Sequence, residues 1–328
     1  VIDVAGQAPL QVAVRAERHE LTVPFRISRG DKTHAEVVVV ELTTTTGARA
    51  AGEGVPYARY GESVASVLSA LSPATGQPAN EASLTALCEE LSGAAKNALA
   101  SALFALRHPG RCRAALSDFD LASSARTVAL DVPARMAEAA RDLRCRWVKV
   151  KLQGDDLDLE RLQAVRAAQP NTPLWLDANE GFTRERFADL SPHLGRLGVA
   201  LIEQPFPVAD EAAAASLGEL PAPLCADESF HTAADAERLA RFGYRAVNVK
   251  LDKAGGIEAA IEAAERAHAL GLRLAFGCMV STELSIAAAW VAVKELARRG
   301  IPVPFLDLDG ATFVRAPRSL ADTGFGAG

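Results

Sequence analysis

Five short apolar runs in this chain each end on a charged residue, at a nearly constant interval. The runs are WVKVK, PLWLD, ALIE, PLCAD and AVNVK. Their last residues, Lys151, Asp177, Glu203, Asp227 and Lys250, stand 26, 26, 24 and 23 residues apart. That interval accommodates one strand and one crossover helix, so the charges converge at one end of a parallel sheet or barrel. Three carboxylates are costly to bury together without a cation. With a lysine on either side, they read as a metal site with a base on each flank.

The rest of the chain fits that frame. From Thr127 onward the pattern is β–α alternation, with strands predicted at 127–131, 146–151, 173–177, 199–203, 223–227, 246–250, 272–276 and 303–307. PARMAEAARDL, DLERLQAVRAAQ, DAERLARFG and GIEAAIEAAERAHALG are among the helices between them. Eight strands with seven helices define an α/β barrel of (β/α)7β type, whose active site sits at the C-terminal strand ends. Before it, LQVAVRAERHEL and AEVVVVELTTTTG alternate like two antiparallel strands, joined by a polar loop at about 24–34. A second loop, GEGVPYARYGES, leads into helical runs, and HPGR with the stretch to Ser124 reads as a boundary. The expected organisation is an α+β domain over 1–122, completed by residues from about 312 to 328, and a barrel over 123–311.

Composition narrows the function. A chain of 328 residues, 49% hydrophobic and 23% charged, is an ordinary globular protein. A net charge of −6 argues against nucleic acid or an anionic membrane as partner, and no apolar run has the length of a membrane span. The start, VIDVAGQAPLQVAVRAE, shows no basic-then-apolar leader pattern. Cys88, Cys112, Cys145, Cys225 and Cys278 are scattered without C-x-x-C spacing, which supports neither zinc nor a disulfide framework and favours a reducing cytoplasm.

Asp177, Glu203 and Asp227 are hard oxygen donors suited to Mg2+. Each alone could cap the helix that follows, but three in register at the ends of apolar strands favour the metal. Lys149 and Lys151 share a strand face, and repulsion between them is expected to lower a lysine pKa toward that of a base. Lys250 stands across the barrel, with the carboxylate strands between, so a proton could leave one face of a bound carbon and return to the other. Lys253 reads as a loop lysine without a role. Asn179 could orient a ligand or simply satisfy its loop, alongside Glu180 and Gln204, and Glu228 and Ser229 could support the site or open a helix. Asp307 and Asp309 suit a cationic substrate group, or else a turn before Gly310. Arg29, and the loop with Tyr57, Arg59 and Tyr60, belong to the first domain, where an arginine suits a substrate carboxylate.

Together VKVK, LDAN, IEQP, ADES and VNVKLDKAGG resemble the enolase superfamily, in its muconate lactonizing subgroup, over nearly the whole chain. PFRISRG, PYARYGES, GCMVSTELS and the Asp307-Leu308-Asp309 motif are most similar to dipeptide epimerases of the L-Ala-D/L-Glu type. The resemblance implies a modified TIM barrel with an N-terminal capping domain and one Mg2+ per subunit on Asp177, Glu203 and Asp227. It implies Lys151 and Lys250 as the two acid/base catalysts of a 1,1-proton transfer through an enolate. Lys149, Thr127, Cys278 and Met279 would contact the substrate, Asp307 and Asp309 would bind the ammonium group of the dipeptide, and Arg29 would meet its acidic side chain. Murein-peptide recycling follows as the setting, and a homo-oligomer remains open. An N-acylamino-acid racemase, an o-succinylbenzoate synthase or a muconate-type cycloisomerase would use the same metal and lysines. None of their substrates has a free ammonium group for the two aspartates. A non-catalytic barrel would be expected to have lost a base or a ligand, and all five residues are present.

Overall fold

A computed structural model of the chain describes residues 8–28, 30–75, 79–316 and 325. The first seven residues, which bear on a leader, lie outside this set, as do Arg29 and most of the tail beyond residue 316.

Two sheets organise the molecule. The first is antiparallel, in the order β3-β2-β1-β4, from β1 (Pro9–Ile27), β2 (Gly30–Thr44), β3 (Arg49–Gly54) and β4 (Ala79–Asn80). Its hairpin differs from expectation. The polar stretch at 24–34 is mostly strand, because Phe25, Arg26 and Ile27 pair with Lys32, Asp31 and Gly30 after a register shift. The sequence there lacks alternation, yet the backbone ladder continues to the tip. β3 spans a Gly/Ala-rich stretch, RAAGEG, whose last three residues, GEG, the sequence suggests as the start of a loop. Its small residues let the strand lie directly on the helix Gly93–Arg107. The boundary stretch also contains a helix, Pro109–Leu116, started by a proline in its first turn.

The second sheet is parallel throughout and runs in chain order from β5 (Ala125–Val128) and β6 (Trp147–Lys151) to β7 (Leu174–Asp177) and β8 (Val199–Glu203). It continues through β9 (Leu224–Ala226), β10 (Ala246–Val249) and β11 (Arg273–Gly277) to β12 (Phe305–Asp307). These eight strands form a nearly closed barrel. Ser124, just before β5, bridges the seam, since Leu308 N donates to its Oγ at 2.7 Å and that hydroxyl donates to Leu306 O at 3.3 Å. One crossover departs from expectation: between β8 and β9 the connecting turn Val208–Ser216 is 3-10 rather than α.

Period-two alternation sorts the barrel side chains. Val148, Val150 and Leu152 point outward and are fully buried under the helices. The inward series forms two layers. The lower one packs Ala125, Trp175, Leu201, Cys225, Ala246, Ala275 and Phe305, with Trp147 against them. Two residues further along the strands, the inward positions are Thr127, Lys149, Asp177, Glu203, Asp227, Asn248 and Asp307. An apolar plug thus floors a charged layer at the C-terminal ends. The end of the described chain returns to the first sheet, where Val314 bridges Leu21 and Phe313 meets Phe25 edge-on, with ring centroids 4.7 Å apart.

Candidate active site

Strand register brings the charged residues together. Lys151 pairs with Asp177, and Asp177 with Glu203, so three of the five periodic charges are neighbours across adjacent strands. Asp227 follows β9 and Lys250 follows β10, which places the two lysines on opposite flanks of the acids. Above this layer lies a pocket of about 460 Å³, lined by Thr127, Lys149, Lys151, Asp227, Lys250, Cys278, Met279, Asp307 and Asp309 from the barrel. The first sheet and the loop after it roof the pocket with Phe25, Ile27, Lys32, Tyr57 and Tyr60.

The acids are held by ammonium groups. Lys149 Nζ lies 2.9 Å from Asp177 Oδ2, 2.7 Å from Glu203 Oε2 and 2.6 Å from Asp307 Oδ2. Lys151 donates to Asp177 Oδ2 at 2.6 Å and Lys250 to Asp227 Oδ2 at 2.7 Å. At Lys149 this arrangement runs against the expectation that repulsion within the lysine pair lowers a pKa. For Lys149, burial does work against the charge, but Asp177, Asp307 and Glu203 outweigh it and hold the group well above the ordinary lysine range. Lys250 is raised in the same way by Asp227 and Glu203.

Lys253 is a second correction. It is no loop lysine, because its buried Nζ donates to Asp227 Oδ1 and to the carbonyls of Asp227 and Asn248. Two more polar groups escaped sequence reasoning. Trp175 Nε1 and Asn248 Nδ2 each donate to Glu203 at 2.7 Å, one to each carboxylate oxygen. Counting back two residues from Asp177 and Lys250 would have found both.

The other expected residues fall around this centre. Asp309 accepts from Thr127 N at 2.6 Å and from Thr127 Oγ1 at 3.1 Å, and burial beside Asp307 raises it to about 6. It lies beyond β12 at the start of a 3-10 turn, so it reaches the pocket from the loop rather than from the strand. Cys278 Sγ donates to Asp307 O at 3.2 Å. Gln204 accepts from the backbone of Asp227 and Ser229 and donates to Ser229 Oγ, so it orders the loop after β9 and does not line the pocket. Asn179 lines the pocket, its Oδ1 accepting from Lys151 at 3.1 Å and its amide nitrogen donating to Glu228 at 3.1 Å. Arg59 is tied to Glu180.

The donor set fits Mg2+. Asp177, Glu203, Asp227, Glu228, Asp307 and Asp309 face Lys149, Lys151, Lys250 and Lys253, leaving an excess of negative charge. Its imprint is Glu203, pushed up to about 8 by burial and then by the charge of Asp177. Among the described residues no three acids, histidines or cysteines are grouped so as to hold a metal ion as they stand; the carboxylates lie against ammonium groups. The chemistry is nevertheless that of hard carboxylate oxygens, which suit a divalent magnesium ion and would be relieved by its charge.

Residues 10–111 match the mandelate racemase / muconate lactonizing enzyme N-terminal domain, and residues 131–306 match the enolase C-terminal domain-like family. The chain is 40% identical over 317 residues to the L-Ala-D/L-Glu epimerase of Escherichia coli (strain K12), covering 92% of this chain and 94% of the relative. It is 34% identical over 274 residues to an N-acetyl-D-glutamate racemase of a Pseudoalteromonas species, covering 81% and 84%. The crystal structure of a dipeptide epimerase from Enterococcus faecalis V583, complexed with Mg and the dipeptide L-Leu-L-Tyr, superposes with a TM-score of 0.84 at 26% identity, over 95% of this chain and 93% of that one. By sequence and by fold, this chain belongs to the mandelate racemase / muconate lactonizing enzyme family of the enolase superfamily.

Proposed function

We propose that the chain is a Mg2+-dependent dipeptide epimerase, an isomerase that inverts the α-carbon of the C-terminal residue, with L-Ala-D/L-Glu peptides as substrates. One observation carries the reading: Lys151 and Lys250 flank the acid row from opposite sides and line the same pocket. Inversion requires removal of a proton from one face and delivery to the other, each by a group within hydrogen-bond reach.

In this reading Asp177, Glu203 and Asp227 hold the metal. When bound, Mg2+ would attract the substrate carboxylate and offset the negative charge that develops as the α-proton leaves. Lys149, kept charged by its acids, is suited to electrostatic stabilisation of that charge rather than to proton removal. Lys151 and Lys250 exchange the proton on the two faces. Asp307 and Asp309 receive the ammonium group, with Thr127 fixing the Asp309 carboxylate through two hydrogen bonds, while Cys278 and Met279 wall the pocket beside them. The acidic side chain is assigned to the roof, which includes Lys32, and Arg29 is proposed to meet it as the resemblance implies. Residues 1–122, with about 312–328, act as the cap on a barrel of 123–311. A cytoplasmic enzyme of murein-peptide recycling is the setting, in keeping with five free cysteines.

The test is ¹H NMR in D₂O with Mg2+, comparing L-Ala-L-Glu, other dipeptides, N-acetylglutamate and N-succinyl amino acids. Loss of the Glu α-proton with growth of the L,D diastereomer is the expected result. Exchange confined to the N-acyl substrates would sink the dipeptide reading. Replacing Asp309→Asn separates the two further. It should raise KM for the dipeptide by about tenfold or more, the scale of one charge-assisted hydrogen bond, and leave N-acylglutamate unaffected.

A further inference from the structure

Three residues at the strand ends hold a backbone conformation that side chains other than glycine rarely adopt: Asn179 at φ 43°, Glu180 at φ 69° and Gln204 at φ 33°. Such conformations are sparsely populated and persist only where surrounding contacts enforce them. Gln204 is explained by its bonds to the Asp227 loop. The Asn179–Glu180 turn is held from a different direction.

Contacts from the roof converge on this turn. Arg59, on the loop after β3, clamps the Glu180 carboxylate with two parallel bonds of 2.8 Å. Val208 N donates to the same carboxylate at 3.0 Å, and Glu180 N donates to Gln204 O at 2.9 Å. Ser28, at the β1–β2 hairpin tip, donates to Asn179 O at 3.0 Å. On the pocket side, Asn179 Oδ1 receives Lys151 Nζ, and Asn179 N donates to Asp177 Oδ1 at 3.0 Å. Both roof segments are thus bonded to the two residues beside Lys151. The turn bonds Lys151 directly through Asn179 Oδ1, whereas its bond toward the other flank goes to Glu228, the neighbour of Asp227, and Lys250 follows β10, with β8 and β9 between it and this turn.

We propose that Glu180 and Arg59 are positioning residues that align Lys151, and not Lys250, by clamping the Asn179–Glu180 turn when the roof is seated. The proposal rests on the epimerase reading. In that reaction the Lys151 Nζ lone pair takes the α-proton of one epimer, the C–H electron pair stays with the substrate as enolate, and Lys250 returns a proton to the opposite face. For the other epimer the roles reverse. Slack in the clamp therefore affects proton removal from one epimer only.

The experiment compares Glu180→Gly and Arg59→Lys with the wild-type enzyme, each with Mg2+, in D₂O, starting separately from L-Ala-L-Glu and L-Ala-D-Glu. Glycine accepts φ near 69° without strain, so Glu180→Gly removes the carboxylate while keeping the turn. Lysine keeps the charge at 59 but loses the two-pronged fork. Melting temperatures within a few degrees of wild type are expected for both. The α-proton loss from one epimer should fall about 10- to 100-fold in Glu180→Gly, the effect of a small misplacement of a reacting group. Loss from the other should persist as exchange without inversion, and Arg59→Lys should lie between. Equal falls from both epimers, or a rise in KM with the ratio of exchange rates unchanged, would overturn the assignment while leaving the epimerase reading intact. Absence of exchange from either dipeptide with the wild-type enzyme would overturn both.

Discussion

At the residue scale, the site is a balance of ammonium and carboxylate groups, and Lys253 shows how much of it hides from a linear reading. The charges at 151, 177, 203, 227 and 250 announce themselves because each closes an apolar run. Lys253 does not, because it follows the strand on a one-turn helix, Leu251–Ala254, which swings its side chain back under Asp227. Burial lowers its pKa, opposed by the charge of Asp227. Lys253→Met should therefore destabilise the protein by about 3 kcal/mol, the lower end for breaking a buried ion pair, because Lys250 still faces the orphaned carboxylate. Urea unfolding with unchanged slope is the check. Isothermal titration with MgCl₂ should show weaker binding as well, since one oxygen of Asp227 loses its anchor. A variant as stable as wild type with unchanged Mg2+ affinity would return Lys253 to the passive role its sequence suggests.

At the scale of elements, legibility tracks how each segment is stabilised. The barrel strands could be placed to within a few residues because their cores are short β-branched and leucine runs bounded by turns. β3 was missed for the opposite reason. It contributes little side-chain hydrophobicity and is fixed by backbone approach. A Cβ at Gly54 would lie 2.0 Å from Ala94 O, and one at Gly52 would lie 2.2 Å from Ala98 O and 2.6 Å from Ala102 N. These neighbours are main-chain atoms of the helix Gly93–Arg107, which cannot rotate away as a side chain would. The sequence shows the small residues on both sides, in RAAGEG and in NALASAL, but not that they meet. Gly54→Ala should cost about 1–3 kcal/mol by overpacking, or more, and should lower Tm by several degrees in a thermal melt. Gly47→Ala, at a turn with open space around it, carries only the strain of its positive φ and should cost about 1 kcal/mol. Equal costs at the two positions would mean that the strand and helix are less closely packed than the geometry requires.

At the scale of the whole molecule, the first sheet and the barrel are joined through buried polar groups rather than by grease alone. Glu53, at the end of β3, accepts from Thr282 N at 3.0 Å and from Thr282 Oγ1, where the helix Glu283–Arg298 begins. Asp252, after β10, accepts from Val55 N and Asn97 Nδ2 at 2.8 Å each. Burial raises Glu53 from 4.5 to about 7, with the neighbouring charge of Asp252 adding to it, and raises Asp252 from 3.8 to about 6. A carboxyl whose folded pKa lies above its unfolded value binds its proton more tightly in the folded state, so stability falls as pH rises between the two values and is level above the higher one. For Glu53 the window is 4.5 to about 7, and the loss is on the order of 3 kcal/mol. Glutamine has the shape of the protonated acid and can still accept from Thr282 N while donating to Thr282 Oγ1. Glu53→Gln should therefore raise Tm clearly at pH 8 and change it little at pH 5. A gain of equal size at both pH values would show that Glu53 ionises in the folded protein much as it does in the unfolded chain. Asp252, raised by burial to about 6, would then be the acid that still makes this join between the first sheet and the barrel sensitive to pH.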